Sequence, residues 1–275
     1  MPARFFLDRP PSGDTVRIDG ELAHHLARSL RVRPGDAIVA VHGGVEHGVT
    51  LTSVAETVDG TVTWSRPVTG EPRLRVTLVQ ALPRERMEDC IDIAVQAGVS
   101  AIVPVHTERT VSRPADDRAA ARVRRWNAVA REAAQLAGRG MIPAVHAPRP
   151  LSDALAALPP GTEVLACASA VDVAAGASPP VPLGEVALRG TDVAAGASPP
   201  MPPGEIGLRG TDVALVIGPE GGLGERDLAA LVARRAVTVH LGPRVLRTRY
   251  AGAVATALLL ARAGDLDVAL AEAPA

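Results

Sequence analysis

The sequence predicts an α/β chain in which a parallel-sheet domain follows a small β-barrel, and three observations carry that reading. Beyond residue 73, short apolar strands alternate with amphipathic helices, the pattern of a mostly parallel sheet with helices on both faces. Before residue 72, short strand-like runs are broken by Gly, Pro and Asp, with one helix among them, as in a small barrel. Gly70-Glu71-Pro72 stands where one pattern gives way to the other. Domains are accordingly expected at 1–72 and 73–265.

In the first domain, Val16–Ile18, Ala37–Val41, Gly48–Val54 and Thr61–Trp64 read as strands. Glu21–Leu30 reads as an amphipathic helix, with His25, Leu26 and Leu30 at helical spacing. Pro34-Gly35-Asp36 is a turn by its chemistry, since Pro fixes φ and Gly accepts a positive φ. In the second domain, strands are expected at Val76–Gln80, Ala101–Val105, Glu163–Ala166, Val213–Ile217 and Val237–Leu241. Helices are expected at Arg86–Ala97, Asp117–Leu136, Leu151–Leu158, Glu225–Arg235 and Ala251–Ala263.

One stretch breaks the alternation. Val171–Gly190 is followed by Thr191–Gly210, nearly a copy, and both are rich in Pro, Gly and Ala. Two such copies cannot stack as a solenoid, which needs at least three units with apolar faces. Residues 171–210 therefore read as a duplicated surface loop, expected to be mobile and outside the chemistry. Loop-closure entropy grows slowly with length, so the insertion is tolerable.

Composition narrows the function classes. Hydrophobic residues make up 47% of the 275, yet the aromatics are only Phe5, Phe6, Trp64, Trp126 and Tyr250. No run approaches the roughly 18 apolar residues of a membrane span, and the N-terminus lacks a signal-peptide core. Cys90 and Cys167 are too few for a disulfide framework or a zinc cluster, which fits a reduced, cytoplasmic setting. The seven histidines show no ligand spacing, so no metal is expected. Net charge is −1, which gives no global attraction to nucleic acid. There is no lysine, so all 29 basic residues are arginine, whose planar fork suits phosphate and base edges. A coding bias toward Arg, Ala, Gly and Pro explains the same fact.

Two segments carry the functional signal. Ile217-Gly218-Pro219-Glu220-Gly221-Gly222 and Leu241-Gly242-Pro243-Arg244-Val245-Leu246-Arg247-Thr248 each follow an apolar strand and precede a helix. Ligands of open α/β sheets bind beyond the carboxyl ends of strands. Glycines there let a ligand approach the backbone. A Pro-Glu-Gly turn before a helix is the structural alternative for either loop alone. The dinucleotide G-x-G-x-x-G, the Walker A lysine, the G-x-S-x-G elbow and H-E-x-x-H are all missing.

With their spacing, these two loops resemble the cofactor signature of the bacterial 16S ribosomal RNA uridine-N3 methyltransferases, of the SPOUT superfamily. Arg4-Phe5-Phe6, the run from His25 to Arg31, and Pro34-Gly35-Asp36 are similar to that family's RNA-binding barrel. Leu82-Pro83-Arg84 and Arg86-Met87-Glu88 resemble its first catalytic-domain loop and helix, and Glu108-Arg109, Trp126, Gly138-Arg139 and Pro143 also have equivalents. The resemblance implies a PUA-like barrel followed by a SPOUT domain with a C-terminal trefoil knot, although threaded chains are close to absent among folds. It implies a homodimer with the cofactor loops at the subunit interface. It implies S-adenosyl-L-methionine held by Ile217, Gly218, Pro219, Glu220, Gly221 and Gly222 with Leu241, Gly242, Val245, Leu246 and Thr248. The substrate would be 16S ribosomal RNA in the 30S subunit, with no membrane and no metal involved.

Methyl transfer is an in-line displacement, so the protein mainly positions its partners and handles a proton. Uracil N3 must lose that proton, and a nearby arginine stabilises the imide anion. Arg247 is the first candidate, then Arg139 and Arg109, against a helix-end or phosphate-contact role for each. Glu220 would bind ribose or anchor its own loop. Arg4, Arg28 and Arg31 suit RNA phosphates, or are ordinary solvated arginines. The chain departs from the family where Arg249-Tyr250 replaces Glu-Thr, and where Gln96, Leu136 and Cys167-Ala168 replace residues of the family pattern, several of them acidic. Those losses leave open an enzyme of the same fold acting on a small-molecule heterocycle. A cofactor-less RNA-binding relic is disfavoured by the intact loops.

Overall fold

The computed structural model describes residues 3–110, 119–168, 179–188, 207–208 and 210–267. Two compact units divide the chain: residues 1–71 with 134–142, and residues 72–133 with 143–275.

The first unit is built on β1 (Arg4–Phe6), β2 (Thr15–Ile18), a short helix α1 (Gly20–His24), β3 (Ala37–His42), β4 (Val45–Val54) and β5 (Val58–Pro67). The strands pair in the order β1-β3-β4-β5-β2, antiparallel except for β1 with β3. Alternation sets the inward faces: Val16, Ile18, Ile38, Ala40, Val49 and Leu51 close a core with Phe5, Leu26 and Val58. Gly35 turns the chain at φ 97°, as the Pro-Gly-Asp motif requires. The helix expected at Glu21–Leu30 differs from the expectation. After α1 it widens into a π-helical turn, His25–Ser29, closed by the bond from Leu30 N to His25 O. Ala23 and Leu26 form its buried side, while His25 and Leu30 face outward. The widened turn shifts the apolar face away from regular helical spacing.

The second unit contains β6 (Arg75–Ala81), α2 (Met87–Gln96), β7 (Ala101–His106), α3 (Ala119–Leu136), β8 (Ala144–Val145), β9 (Arg149–Pro150), α4 (Leu151–Ala156) and β10 (Glu163–Cys167). The end of α3, from Ala134, groups with the first unit. There follow β11 (Val181–Pro182), β12 (Ala187–Leu188), β13 (Gly207–Leu208), β14 (Asp212–Ile217), α5 (Glu225–Ala233), β15 (Val237–His240) and α6 (Thr248–Arg262). The main sheet is parallel, in the order β11-β15-β10-β14-β6-β7-β8, with β9 also on β7. Its central strands are buried on both faces, so consecutive residues Leu78 and Val79 are both fully enclosed. Val79, Ala81, Val164, Ala166, Ala214 and Val216 pack against α4 and α5. Leu78 and Gln80 point the other way, toward Gly252 of α6.

The surface-loop expectation for 171–210 fails for part of the first copy. Val181 and Pro182 extend the main sheet beside β15, and Leu183 and Val186 are each 1% exposed. Those apolar side chains have a sheet edge and α6 to bury against, which a composition-based reading overlooks. Ala187-Leu188 pairs in parallel with Gly207-Leu208, the same positions of the second copy. Most of the second copy, and the expected start of α3 at Asp117, lie outside the described residues.

Candidate functional site

All strands of the main sheet run parallel, so their C-terminal ends share one edge. Cys167, the last residue of β10, pairs with Ile217 on one side and Val239 on the other. The loops leaving β14 and β15 therefore flank β10, two strand spacings or about 10 Å apart. One nucleoside-sized ligand spans that distance. The end of β10 thus belongs to the candidate site. Burial pushes the Cys167 thiol up to about 12, so it stands there as a neutral thiol.

The first loop is braced from several sides. Ile217 and Pro219 are buried, and Gly222 N donates to Pro219 O at 2.9 Å, closing a turn in which Gly222 takes φ 75°. Asp227 accepts from Gly224 N and Glu108 N, both at 3.0 Å. Glu108 accepts in turn from Arg226 N at 3.2 Å, and Arg109 Nη1 donates to Gly221 O at 3.0 Å. Arg109 thus touches the loop's backbone. Glu220 is exposed and has no partner among the described residues, so the loop's anchors are Asp227, Glu108 and Arg109. Asp227 and Glu108 were missed as site residues by sequence reasoning. The signal for Asp227 was its place three residues after Gly224 at the helix start, the spacing of a capping acid.

The second loop is open. Gly242, at φ 90°, has no described residue within 4 Å of where a Cβ would stand. Its amide donates to His240 Nδ1 at 3.1 Å. Val245 is 95% exposed, Leu241 and Leu246 are half-buried, and Thr248 is buried at the start of α6. Arg247 caps that helix through its carbonyl, which accepts from Tyr250 N and Ala251 N, while its exposed guanidinium has no partner among the described residues. The α6 first turn has no acidic residue. Arg249 lies over the Tyr250 ring, 4.7 Å from its centroid.

Open glycine backbone in the second loop, and the exposed Gly221 in the first, fit a cofactor read through main-chain groups. No group of three or more His, Cys, Asp or Glu among the described residues could hold a metal, and no helix there is long and apolar enough to cross a membrane.

The remaining sequence candidates fall in the first unit. Arg139 is 3% exposed and forms a two-point pair with Glu71, with bonds of 3.0 and 2.8 Å. Glu71 also accepts from Gly140 N and Met141 N. Arg4 is likewise engaged: it pairs with Glu46 and donates to the carbonyls of Gly138 and Arg139. Burial would raise the Glu46 carboxyl, but bonds from Arg4 and Arg66 outweigh it and hold it below the usual carboxylate range. Arg28 and Arg31 are exposed, Arg28 on the π-helical turn and Arg31 at a left-handed φ of 54°.

Residues 70–260 match the family described as an RNA methyltransferase domain, and residues 18–55 match an RNA methyltransferase PUA domain. Ribosomal RNA small subunit methyltransferase E of Mycobacterium bovis is 35% identical over 268 residues, covering 91% of this chain and 88% of that protein. The protein of the same name from Bacillus subtilis is 26% identical over 241 residues, 86% of each chain. A crystal structure of ribosomal RNA small subunit methyltransferase E from Neisseria gonorrhoeae, bound to S-adenosyl methionine, superposes with a TM-score of 0.75 at 26% identity. It covers 94% of this chain and 97% of that one.

Proposed function

We propose, from the premise that this chain belongs to the ribosomal RNA small subunit methyltransferase E family, that it transfers a methyl group from S-adenosyl-L-methionine to N3 of a uridine in 16S ribosomal RNA. The observation that carries the reading is the pair of loops, Ile217–Gly222 and Leu241–Thr248, flanking β10 at one edge of the parallel sheet. The family also implies trefoil threading of the C-terminal chain, and the crossing from β14 to β15 on the far side of β10 is compatible with it.

When bound, the cofactor supplies an electrophilic methyl group on a sulfonium. The chain's own work is to align uracil N3 with it and to hold the charge left when the N3 proton departs. The transfer would form the N3–C bond as the S–C bond breaks, with S-adenosylhomocysteine as the leaving group and the N3 proton passing to solvent water. Arg247 is the group assigned to that charge, because its exposed guanidinium adjoins the second loop without a competing carboxylate among the described residues. Arg109 shapes the first loop through the Gly221 carbonyl. Arg139 is already neutralised by Glu71, which leaves it the weaker candidate for the same task. Arg28 and Arg31 are assigned to RNA phosphates.

The active form is proposed to be a homodimer working in the cytoplasm. Tyr250, Val254 and Leu258 form an exposed apolar stripe at helical spacing on α6, and Val245 lies exposed in the loop before it. Such a stripe on a soluble protein marks a partner surface.

A second reading, methylation of a small-molecule heterocycle, is favoured by one observation: Arg249 and Tyr250 stack where the family carries an acid and a threonine. Methyl incorporation into 30S subunits lacking the modification, with nucleoside analysis for 3-methyluridine, separates the two. Incorporation by the wild type supports ribosomal RNA. Its absence despite tight cofactor binding contradicts that substrate and favours the small molecule.

A further inference from the structure

A cleft of about 470 Å³ opens between the loop leaving β6 and the start of α3, both in the second unit. Its floor is apolar: Leu82, Met87 and Trp126 are 5%, 6% and 2% exposed. Its rim carries four arginines, Arg84 and Arg86 from the loop and Arg122 and Arg125 from the helix, with Glu85 and Glu88. Two of the four are neutralised, Arg125 by Glu88 at 3.1 Å and Arg86 by Asp89 at 3.2 Å. Arg84 has no ion pair or hydrogen bond among the described residues, and Arg122 has only the Trp126 ring, 5.9 Å below its guanidinium.

Arg86 adds an independent observation. It holds a left-handed backbone, φ 62° and ψ 46°, just before α2. A non-glycine residue there stores about 1 kcal/mol of strain, and such strain collects at functional sites.

We propose that this cleft binds a phosphodiester of the substrate RNA, with Arg84 and Arg122 as the phosphate contacts; the assignment rests on the RNA-methyltransferase reading above. With Arg86 and Arg125 paired and Glu85 set against Arg84 and Arg122, the rim keeps a small net positive charge, which disfavours a sulfonium. The rim suits an anion, and planar guanidiniums bind phosphate oxygens two at a time. The volume lies within the range of small-molecule sites. A phosphate on the rim places the adjoining sugar and base over the Leu82–Met87–Trp126 floor. Because β6 pairs with β14, the cleft opens at the same sheet edge as the first cofactor loop. Phosphate contacts of this kind fix register while the reacting base is read elsewhere.

The test uses the full chain and a fluorescein-labelled, uridine-containing single-stranded RNA, followed by anisotropy across a salt series. The Arg84→Ala/Arg122→Ala double variant is expected to bind about tenfold more weakly at low salt. Two lost contacts should also flatten the log–log salt slope by about 1.4. The Arg84→Lys/Arg122→Lys variant should recover most of that slope. S-adenosylhomocysteine binding and melting temperature should match wild type, because neither arginine touches the loops. Unchanged RNA affinity and slope in the alanine variant, or no salt-dependent RNA binding by the wild type, overturns the assignment. Failure of the methyltransferase reading has a separate signature, the lack of 3-methyluridine with wild-type protein.

Discussion

Ile217–Gly222 and Leu241–Thr248 each leave the end of a parallel strand and each run into a helix, but they are held differently. The first loop is fixed by neighbours far along the chain: Arg109 holds the Gly221 carbonyl, and Asp227 ties the Gly224 and Glu108 amides together. In the second loop, Gly242 bonds only to nearby His240 among the described residues, and Val245 is 95% exposed. Similar glycine-proline chemistry thus yields one wall formed before any ligand arrives and one that still has surface to bury. A ligand or second subunit that covers the open wall would gain apolar burial, at roughly 25 cal/mol per Å². Cofactor binding and subunit association should therefore be coupled through the second loop and not through the first.

The largest expected effect attacks the base of the open loop. Gly252 lets α6 approach β6, and a Cβ there would lie 2.9 Å from Leu78 Cδ1 and 3.1 Å from Gln80 Oε1. Gly252→Val should cost about 3 kcal/mol by overpacking, seen as a lower midpoint in denaturant. Native stability with full cofactor binding would show that the helix position does not govern the second loop.

Next comes the braced loop. Asp227→Ala leaves the Gly224 and Glu108 amides without their acceptor and should cost about 2 kcal/mol. It should also weaken S-adenosylhomocysteine binding measured by calorimetry. Lost stability with wild-type affinity would mean that the brace serves α5 alone.

The smallest stability effect belongs to Val245→Ser, expected within about 0.5 kcal/mol of wild type because the side chain is in solvent. Affinity for S-adenosylhomocysteine should nevertheless fall several-fold, and sedimentation should show weaker self-association. A variant equal to wild type in both respects would leave Val245 with nothing to cover.

Much of this was legible in the sequence. Strands such as Asp212–Ile217 and Arg75–Ala81 are apolar runs bounded by turn residues, so the parallel sheet and the place of both loops followed from pattern. The bracing was not legible, because Glu108 and Asp227 lie far apart in the chain and meet only where the segment after β7 reaches over β6 to the start of α5. Val181–Val186 was hidden for another reason. Its Pro-Gly-rich repeat has the composition of a loop, and only the free edge of β15 turns Val181–Pro182 into a strand. The π-helical turn at His25–Ser29 escaped because its letters fit a regular helix equally well.

Amide hydrogen exchange with and without saturating S-adenosylhomocysteine tests the contrast most directly. In the free protein, Gly222 and Gly224 should exchange slowly, since their amides are bonded to Pro219 and Asp227, while Arg244–Leu246 exchange near the rate of open chain. Ligand should then slow Arg244–Leu246 at least about tenfold, a larger relative change than at Gly222 and Gly224. Binding that leaves exchange at Arg244–Leu246 unchanged would contradict the assignment of the second loop to the cofactor site.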